Sequence, residues 1–147
     1  MKINYHIYIE DDFHPIDILG EVELSDGKNK IIDSCMMLDN FFCSLIQGLI
    51  AVKRGNNVII DLINVFDPIE FLISEKSIKI NYMNQFIITN IISLEGELKK
   101  TIASLLDELK GYDEIDTLFY VKAFRDFLDN NIPSDSVDIQ LIIKEWR

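Results

Sequence analysis

The sequence predicts an α+β protein in which a mostly antiparallel sheet of about five to six strands packs against a buried central helix, with two further helices toward the C-terminus. The first observation is the order of segments. Strand-like stretches, a helix, more strand-like stretches and then helices argue against a doubly wound α/β fold. The length of 147 residues fits one domain, covering 1–147. The hydrophobic content of 48% exceeds what disordered chains carry.

Three strands are expected before the central helix. Residues 2–10 alternate polar and apolar side chains, which indicates a half-buried strand with one apolar face: Ile3, Tyr5, Ile7 and Ile9. Residues 16–24 suggest a second strand, bulged at Gly20. Ser25-Asp26-Gly27 is a turn signal, so residues 29–35 are expected to return as the third strand of a hairpin.

The central helix follows these strands. One face carries apolar residues at helical spacing: Phe41, Leu45, Leu49 and Val52. Asp39 or Ser34 is the predicted N-cap, and Gly55 after two basic residues is the predicted stop. The apolar face is wide, so the helix is expected to lie deep against the sheet.

More strands are predicted after this helix. The β-branched run from Val58 to Val65 is typical of a central strand. The segments Ile69–Ser74 and Ile78–Met83 alternate as a hairpin across Glu75-Lys76, and Phe86–Ile92 is a further apolar strand.

Two helices complete the prediction. Ser93 is expected to start the first, which Gly111 ends, and Asp116 or Thr117 is expected to cap the second. Inward positions of that last helix are Leu118, Val121, Phe124 (or Phe127) and Leu128. Residues 138–146 fit a short terminal helix or a strand, and the pattern leaves that choice open.

The charge restricts the classes of partner. With 25 acidic and 14 basic residues, the net charge is −11. That excess repels phosphate backbones and anionic lipids, so neither a nucleic acid nor a membrane is an expected partner, and basic proteins are favoured. The alternative is that the acidic residues only keep an apolar chain soluble. With no signal-peptide pattern or apolar run of membrane-spanning length, we expect a cytoplasmic protein.

Motifs that would indicate catalysis or cofactor binding are missing from the sequence. It contains no phosphate-binding glycine loop, zinc spacing or calcium loop. Cys35 and Cys43 are the two cysteines, and His6 and His14 are the two histidines. Nothing in the pattern pairs them as nucleophile and base. We therefore predict no catalytic residue, no metal site, no cofactor and a protein that is not an enzyme.

The candidate partner-binding residues are acidic clusters with one aromatic side chain. The clusters are Asp107, Glu108, Tyr112, Asp113, Glu114 and Asp116 around the turn between the last two helices; Asp126 and Asp129; and Glu10, Asp11 and Asp12. Carboxylates accept paired hydrogen bonds from Arg, and aromatic residues beside acids are common in tight interfaces. Each cluster could instead be a solvated face or a cap, and core packing is the favoured role for Phe119.

The middle of the chain carries a recognisable pattern. An apolar helix (Leu38-Asp39-Asn40-Phe41-Phe42-Cys43-Ser44-Leu45-Ile46-Gln47-Gly48-Leu49-Ile50) precedes a strand, the segment Phe66-Asp67-Pro68-Ile69-Glu70-Phe71 and a hairpin. In this pattern, residues 38–83 resemble small bacterial immunity proteins of contact-dependent inhibition and other polymorphic toxin systems. The resemblance implies a cytoplasmic inhibitor that binds a toxin domain, often a nuclease, whose basic surface an acidic protein could cover. The alternatives are another acidic interaction module, such as an adaptor or nucleic-acid mimic, or an enzyme of unfamiliar chemistry.

Overall fold

A computed structural model describes residues 1–10, 13–16, 18–62, 65, 67–112, 115 and 118–130. These residues contain seven strands and three helices. In chain order they are β1 (Lys2–Ile7), β2 (Leu19–Ser25), β3 (Lys30–Met37), α1 (Leu38–Lys53), β4 (Val58–Ile60), β5 (Ile69–Ser74), β6 (Ser77–Tyr82), β7 (Gln85–Thr89), α2 (Ile91–Leu109) and α3 (Phe119–Leu128). Residues 138–146, whose type the sequence left open, lie outside the described residues.

The first three strands form an antiparallel sheet in the order β1-β2-β3. Its register shifts between Gly20 and Val22, where a bulge was predicted, although the extra residue lies on β3. Gly20 faces the backbone of His6 closely. A Cβ there would lie 2.8 Å from Cδ1 of Leu38 and closer still to the His6 carbonyl oxygen, so only glycine fits.

The last four strands form a second antiparallel sheet in the order β4-β5-β6-β7. The predicted hairpin of β5 and β6 is confirmed. The prediction of a central strand over Val58–Val65 is wrong, because β4 ends at Ile60 and pairs only with β5, at the edge of this sheet. Ile59 is 63% exposed, so the β-branched run did not indicate burial on both faces.

The two sheets meet along β3 and β7, where side chains replace the backbone ladder. The Gln85 side-chain amide donates to the Ile32 carbonyl (3.1 Å) and accepts from the Ile32 amide (2.8 Å). The Asp26 carboxylate accepts from the Ile88 amide at 2.8 Å, and the Tyr82 hydroxyl donates to Asp33 at 2.6 Å. The α+β class is therefore confirmed, but the expected single sheet of about five to six strands is two antiparallel sheets of three and four strands joined by a seam of side chains.

Helix α1 is buried at every residue except Ala51 and Lys53. It packs against strands of both sheets and against α2 and α3. The predicted caps are wrong: Met37 is the N-cap and makes no side-chain bond, while Asp39 is buried in the first turn. The predicted stop is confirmed, because Gly55 has φ +81° and donates to the Val52 carbonyl at 3.0 Å.

The remaining helices cover the outer side of α1. Helix α2 begins two residues before the predicted Ser93, because Asn90 is its N-cap and accepts from the Ser93 amide at 2.9 Å. The N-cap of α3 is Leu118, whereas the predicted caps, Asp116 and Thr117, lie outside the described residues. No helix in the described part of the chain has the length and apolar character needed to cross a membrane.

Candidate partner-binding surface

One end of the molecule is built around residues 9, 10, 13–16 and 18, which come between β1 and β2 in the chain and are called the loop below. The Tyr8 amide donates to the Leu19 carbonyl at 2.9 Å and closes the base of this loop. The Leu38 amide donates to the Ile18 carbonyl at 2.8 Å, so α1 starts at the same end. We call this region, which includes the loop, the C-terminus of α2 and the start of α3, the loop end.

Aromatic contacts hold the loop against the helices. The Phe13 ring meets the Tyr112 ring edge to face, with centroids 5.1 Å apart. The Phe13 amide donates to the Glu10 carbonyl at 3.0 Å, which fixes the chain around Glu10. The Tyr120 hydroxyl donates to the Pro15 carbonyl, and this ties the start of α3 to the loop. Segments distant in sequence therefore converge at the loop end.

The structure brings two of the predicted acidic clusters toward this end. Glu10 is exposed on the loop, and Asp107 and Glu108 are exposed on the last turn of α2. Tyr112 was predicted to contact a partner, and it lies between these clusters, half-buried against Phe13. Two segments that carry exposed carboxylates are thus joined by the Phe13–Tyr112 ring contact.

The acids of α2 also have partners within the chain. The Tyr5 hydroxyl donates to Glu108 at 2.7 Å, and its oxygen lies 3.0 Å from Ser104 Oγ. Burial, followed by the nearby Glu108 and Asp107 carboxylates, raises the pKa of Tyr5 to about 12. Asp107 pairs with Lys110 at 2.9 Å, but its side chain is 72% exposed. An ion pair so exposed contributes little to stability and leaves Asp107 accessible to a partner.

The predicted cluster of Asp126 and Asp129 does not join this surface. Both residues lie in or just after the last turn of α3, and Asp129 comes about 15 Å of helix rise after Phe119. Asn130, next in the chain, lines a groove with Lys53 and Arg54 at the C-terminus of α1. Both acids therefore lie at the C-terminal end of α3, and Asp129 adjoins the residue that reaches the C-terminus of α1.

Five further candidates, Asp11, Asp12, Asp113, Glu114 and Asp116, lie outside the described residues. Their placement therefore stays a prediction of the sequence. The described members of the same clusters are Glu10, Asp107, Glu108 and Tyr112.

Sequence reasoning missed the apolar part of the loop end. Ile9 was placed on the inner face of the first strand and Ile16 in the second, but both lie in the loop, 58% and 61% exposed. Phe119 was assigned to the core, yet it is 51% exposed while the neighbouring Tyr120 is buried. Helix α3 turns Tyr120 and Phe124 inward, and this places Phe119 outside. A helical projection of residues 119–128 could have found this.

The groups that could support chemistry are dispersed. Cys43 is buried inside α1, and burial together with the Asp39 carboxylate raises its pKa well above the ordinary value. A nucleophilic thiol needs the opposite shift. Cys35 is exposed on β3, and the His6 ring lies 5.8 Å from the Tyr8 ring. Among the residues that the structure describes, no group of three or more His, Cys, Asp or Glu could hold a metal ion.

Two open grooves flank the C-terminus of α1. One, of about 340 Å³, is lined by Leu49, Lys53, Arg54 and Phe127. The other, of about 500 Å³, lies between the β5–β6 hairpin and the start of α2, and four of its ten lining residues are isoleucines. Neither groove contains a cysteine or a histidine.

Comparisons with known proteins give no relative. No protein-family model, curated protein or solved structure matches the chain.

Proposed function

We propose that this protein is a cytoplasmic immunity-type inhibitor that binds a toxin domain and neutralises it. The proposal develops the resemblance of residues 38–83 to bacterial immunity proteins. In this proposal, the loop end contacts a basic surface of the toxin, such as the nucleic-acid-binding face of a nuclease.

The observation that carries the proposal is the convergence of acids from separate segments. Glu10 of the N-terminal loop and Asp107 and Glu108 of α2 are exposed on two segments that the Phe13–Tyr112 ring contact joins, in a chain of net charge −11. Such a surface attracts a basic partner over a distance of about one Debye length, roughly 8 Å at physiological salt, and accelerates encounter. It also accepts paired hydrogen bonds from Arg at short range.

A pair of charge-matched variants tests the proposal. Glu10→Lys/Asp107→Lys reverses two acids at the loop end, and Asp126→Lys/Asp129→Lys reverses two acids toward the other end. Each variant would be co-expressed with the toxin domain encoded beside this gene. We expect the first variant to lose protection and to bind the purified toxin at least tenfold more weakly, with most of the loss in the association rate. The second should protect as the native chain does.

The outcomes separate the candidate functions. If the native chain forms no complex with the neighbouring toxin and gives no protection, the immunity proposal is wrong. An adaptor or nucleic-acid mimic would then be the better account, and its partner should be retained by the native chain at low salt. If both double variants lose binding equally, net charge alone is responsible and the loop end has no special role.

A further inference from the structure

The loop end carries apolar side chains that are exposed to water. Ile9 is 58%, Ile16 is 61% and Phe119 is 51% exposed. Their neighbours Ile18 and Tyr120 are buried and supply the core contacts of the same segments. Exposed apolar groups that gather beside polar ones mark interaction surfaces.

Hydrogen bonds bring the segments that carry these three residues to the same end of the molecule. Ile9 and Ile16 belong to the loop that the Tyr8–Leu19 hydrogen bond closes. Pro15, next to Ile16, accepts the hydrogen bond of Tyr120, the residue after Phe119. The acids described above border the same region, since Glu10 follows Ile9 and the Phe13–Tyr112 ring contact joins the loop to the end of α2.

Two other sites with exposed apolar residues have different surroundings. On the outer face of the four-stranded sheet, Lys79 separates Leu72 from Ile88, with its ammonium 4.6 Å from the Phe86 ring centroid. The Asn81 amide, bonded to Glu70 at 2.9 Å, interrupts the next row of that face. Ile92 is 85% exposed at the start of α2, where the first helical turn contains no acidic residue.

We infer that Ile9, Ile16 and Phe119 form the apolar centre of a docking surface for a basic protein segment in which Lys or Arg residues flank an aliphatic or aromatic side chain. The apolar side chain of the partner would pack on Phe119 and the isoleucines, and its cations would meet Glu10, Asp107 and Glu108. The charge of the border decides the sign of the partner, since these acids repel an acidic or phosphorylated segment. This inference rests on the proposed function for the identity of the partner, and it adds the chemistry that the partner must present.

An apolar centre changes how binding depends on salt. Screening weakens contacts between exposed charges, whereas the transfer of Phe119 and the isoleucines out of water remains favourable. Binding should therefore weaken, but not vanish, as ionic strength rises. Truncation of an aromatic residue at the centre should cost more than removal of one rim charge.

The test uses a library of random peptides displayed on phage and selected on the immobilised full-length chain. We expect the recovered peptides to be enriched in Lys or Arg next to Leu, Ile, Phe or Trp. Their synthetic forms should bind Phe119→Ser and Ile16→Ser at least tenfold more weakly than the native chain. The matched control is Ile92→Ser, which removes a still more exposed isoleucine at another site and should bind as the native chain does. Unchanged thermal melting of each variant shows that its fold is intact.

Several results would overturn the inference. One is a selection that yields acidic peptides or no enrichment. Another is binding that Ile92→Ser abolishes and Phe119→Ser spares. A concentration-dependent dimer of the chain alone, dissociated by Phe119→Ser in sedimentation velocity, would show that a second copy occupies the surface. Failure of toxin protection with the expected peptide result would reject the immunity function and leave this docking chemistry standing.

Discussion

Replacement of Gly48 by alanine should destabilise the protein, although alanine is the better helix former. Gly48 lies in the middle of α1, beside the ring of Phe71 on β5. A methyl carbon there would lie 2.6 Å from Cδ2 of Phe71 and closer still to two other ring carbons. Ordinary carbon contacts are about 3.5–4 Å, so the ring would have to move by about 1 Å in a site where Phe71 is fully buried.

The magnitude follows from two opposing effects. Alanine gains about 1 kcal/mol over glycine in a helix interior. Overpacking of a well-filled core costs about 1–3 kcal/mol, and a displacement of this size belongs at the upper end. The net loss for Gly48→Ala is therefore about 2 kcal/mol, which corresponds to a fall in Tm of about 4–8 °C for a chain of this length.

Gly96 supplies the matched control, since it lies in α2 and a Cβ there would meet no atom within 4 Å. Gly96→Ala should raise stability by about 0.5–1 kcal/mol. Urea unfolding of both variants, with the slope m compared to detect changes in the unfolded state, measures the difference. Restored stability of Gly48→Ala on adding Phe71→Leu would locate the strain at the ring. If Gly48→Ala is as stable as Gly96→Ala, the close packing of α1 on β5 described above is incorrect.

Three further predictions concern the seam between the two sheets and Tyr5. Gln85→Ala removes both side-chain bonds to Ile32, so the Ile32 amide should exchange with deuterium faster while amides inside the β5–β6 hairpin keep their rates; equal rates at Ile32 would argue against the seam. The backbone amides of Asn29 and Ile88 hold the pKa of Asp26 well below its usual range. The contribution of Asp26 to the free energy of unfolding is present above the pKa that Asp has in the unfolded chain, and it is lost as pH falls below about 4. Asp26→Ala should therefore cost about 1–2 kcal/mol at pH 7 and show a smaller further loss in acid, as urea midpoints across pH would reveal. Burial and the Glu108 carboxylate raise the pKa of Tyr5 to about 12. The contribution of Tyr5 to the free energy of unfolding is therefore complete below about pH 10 and is lost as pH rises toward 12. Tyr5→Phe should therefore reduce the alkaline loss of stability, and an unchanged profile would exclude Tyr5 as its cause.

Local patterns predicted the elements whose causes are local. The β5–β6 hairpin was found because its alternation and its turn lie within a few residues. The Gly55 stop was found for the same reason. A run of β-branched residues, however, indicates a strand but not how many strands pair with it. Val58–Val65 was therefore predicted as a central strand, although Ile59 lies in an edge strand. The N-caps of α1 and α2 depend on where the chain enters each helix, and the sequence alone predicted the wrong residue for both: the N-caps are Met37 and Asn90.

Long-range features were beyond the sequence. Asp26 and Ile88 are 62 residues apart, and Gln85 and Ile32 are 53 apart. A polar side chain that completes a sheet edge looks like any other polar residue in a strand or turn. The acidic clusters were visible as composition, but only the contact of Phe13 with Tyr112 reveals that the segments carrying Glu10 and the α2 acids meet. Asp126 and Asp129, which the sequence treated equally, lie at the C-terminal end of α3.

The acids of the loop end are not equivalent as tests of binding. Glu108 accepts a hydrogen bond from the Tyr5 hydroxyl and so attaches α2 to β1, which is an edge strand of its sheet. Glu97 of α2 accepts a second bond, from the Ile3 amide, at 3.1 Å. Reversal of Glu108 would disturb this attachment and could weaken a partner through the fold alone. Glu10 is exposed on the loop, and the ion pair of Asp107 with Lys110 is exposed, so reversal of these two acids changes the charge of the surface with little effect on stability. A loss of binding in the Glu10/Asp107 variant can therefore be attributed to the surface, whereas a loss in any variant of Glu108 requires that stability be measured first.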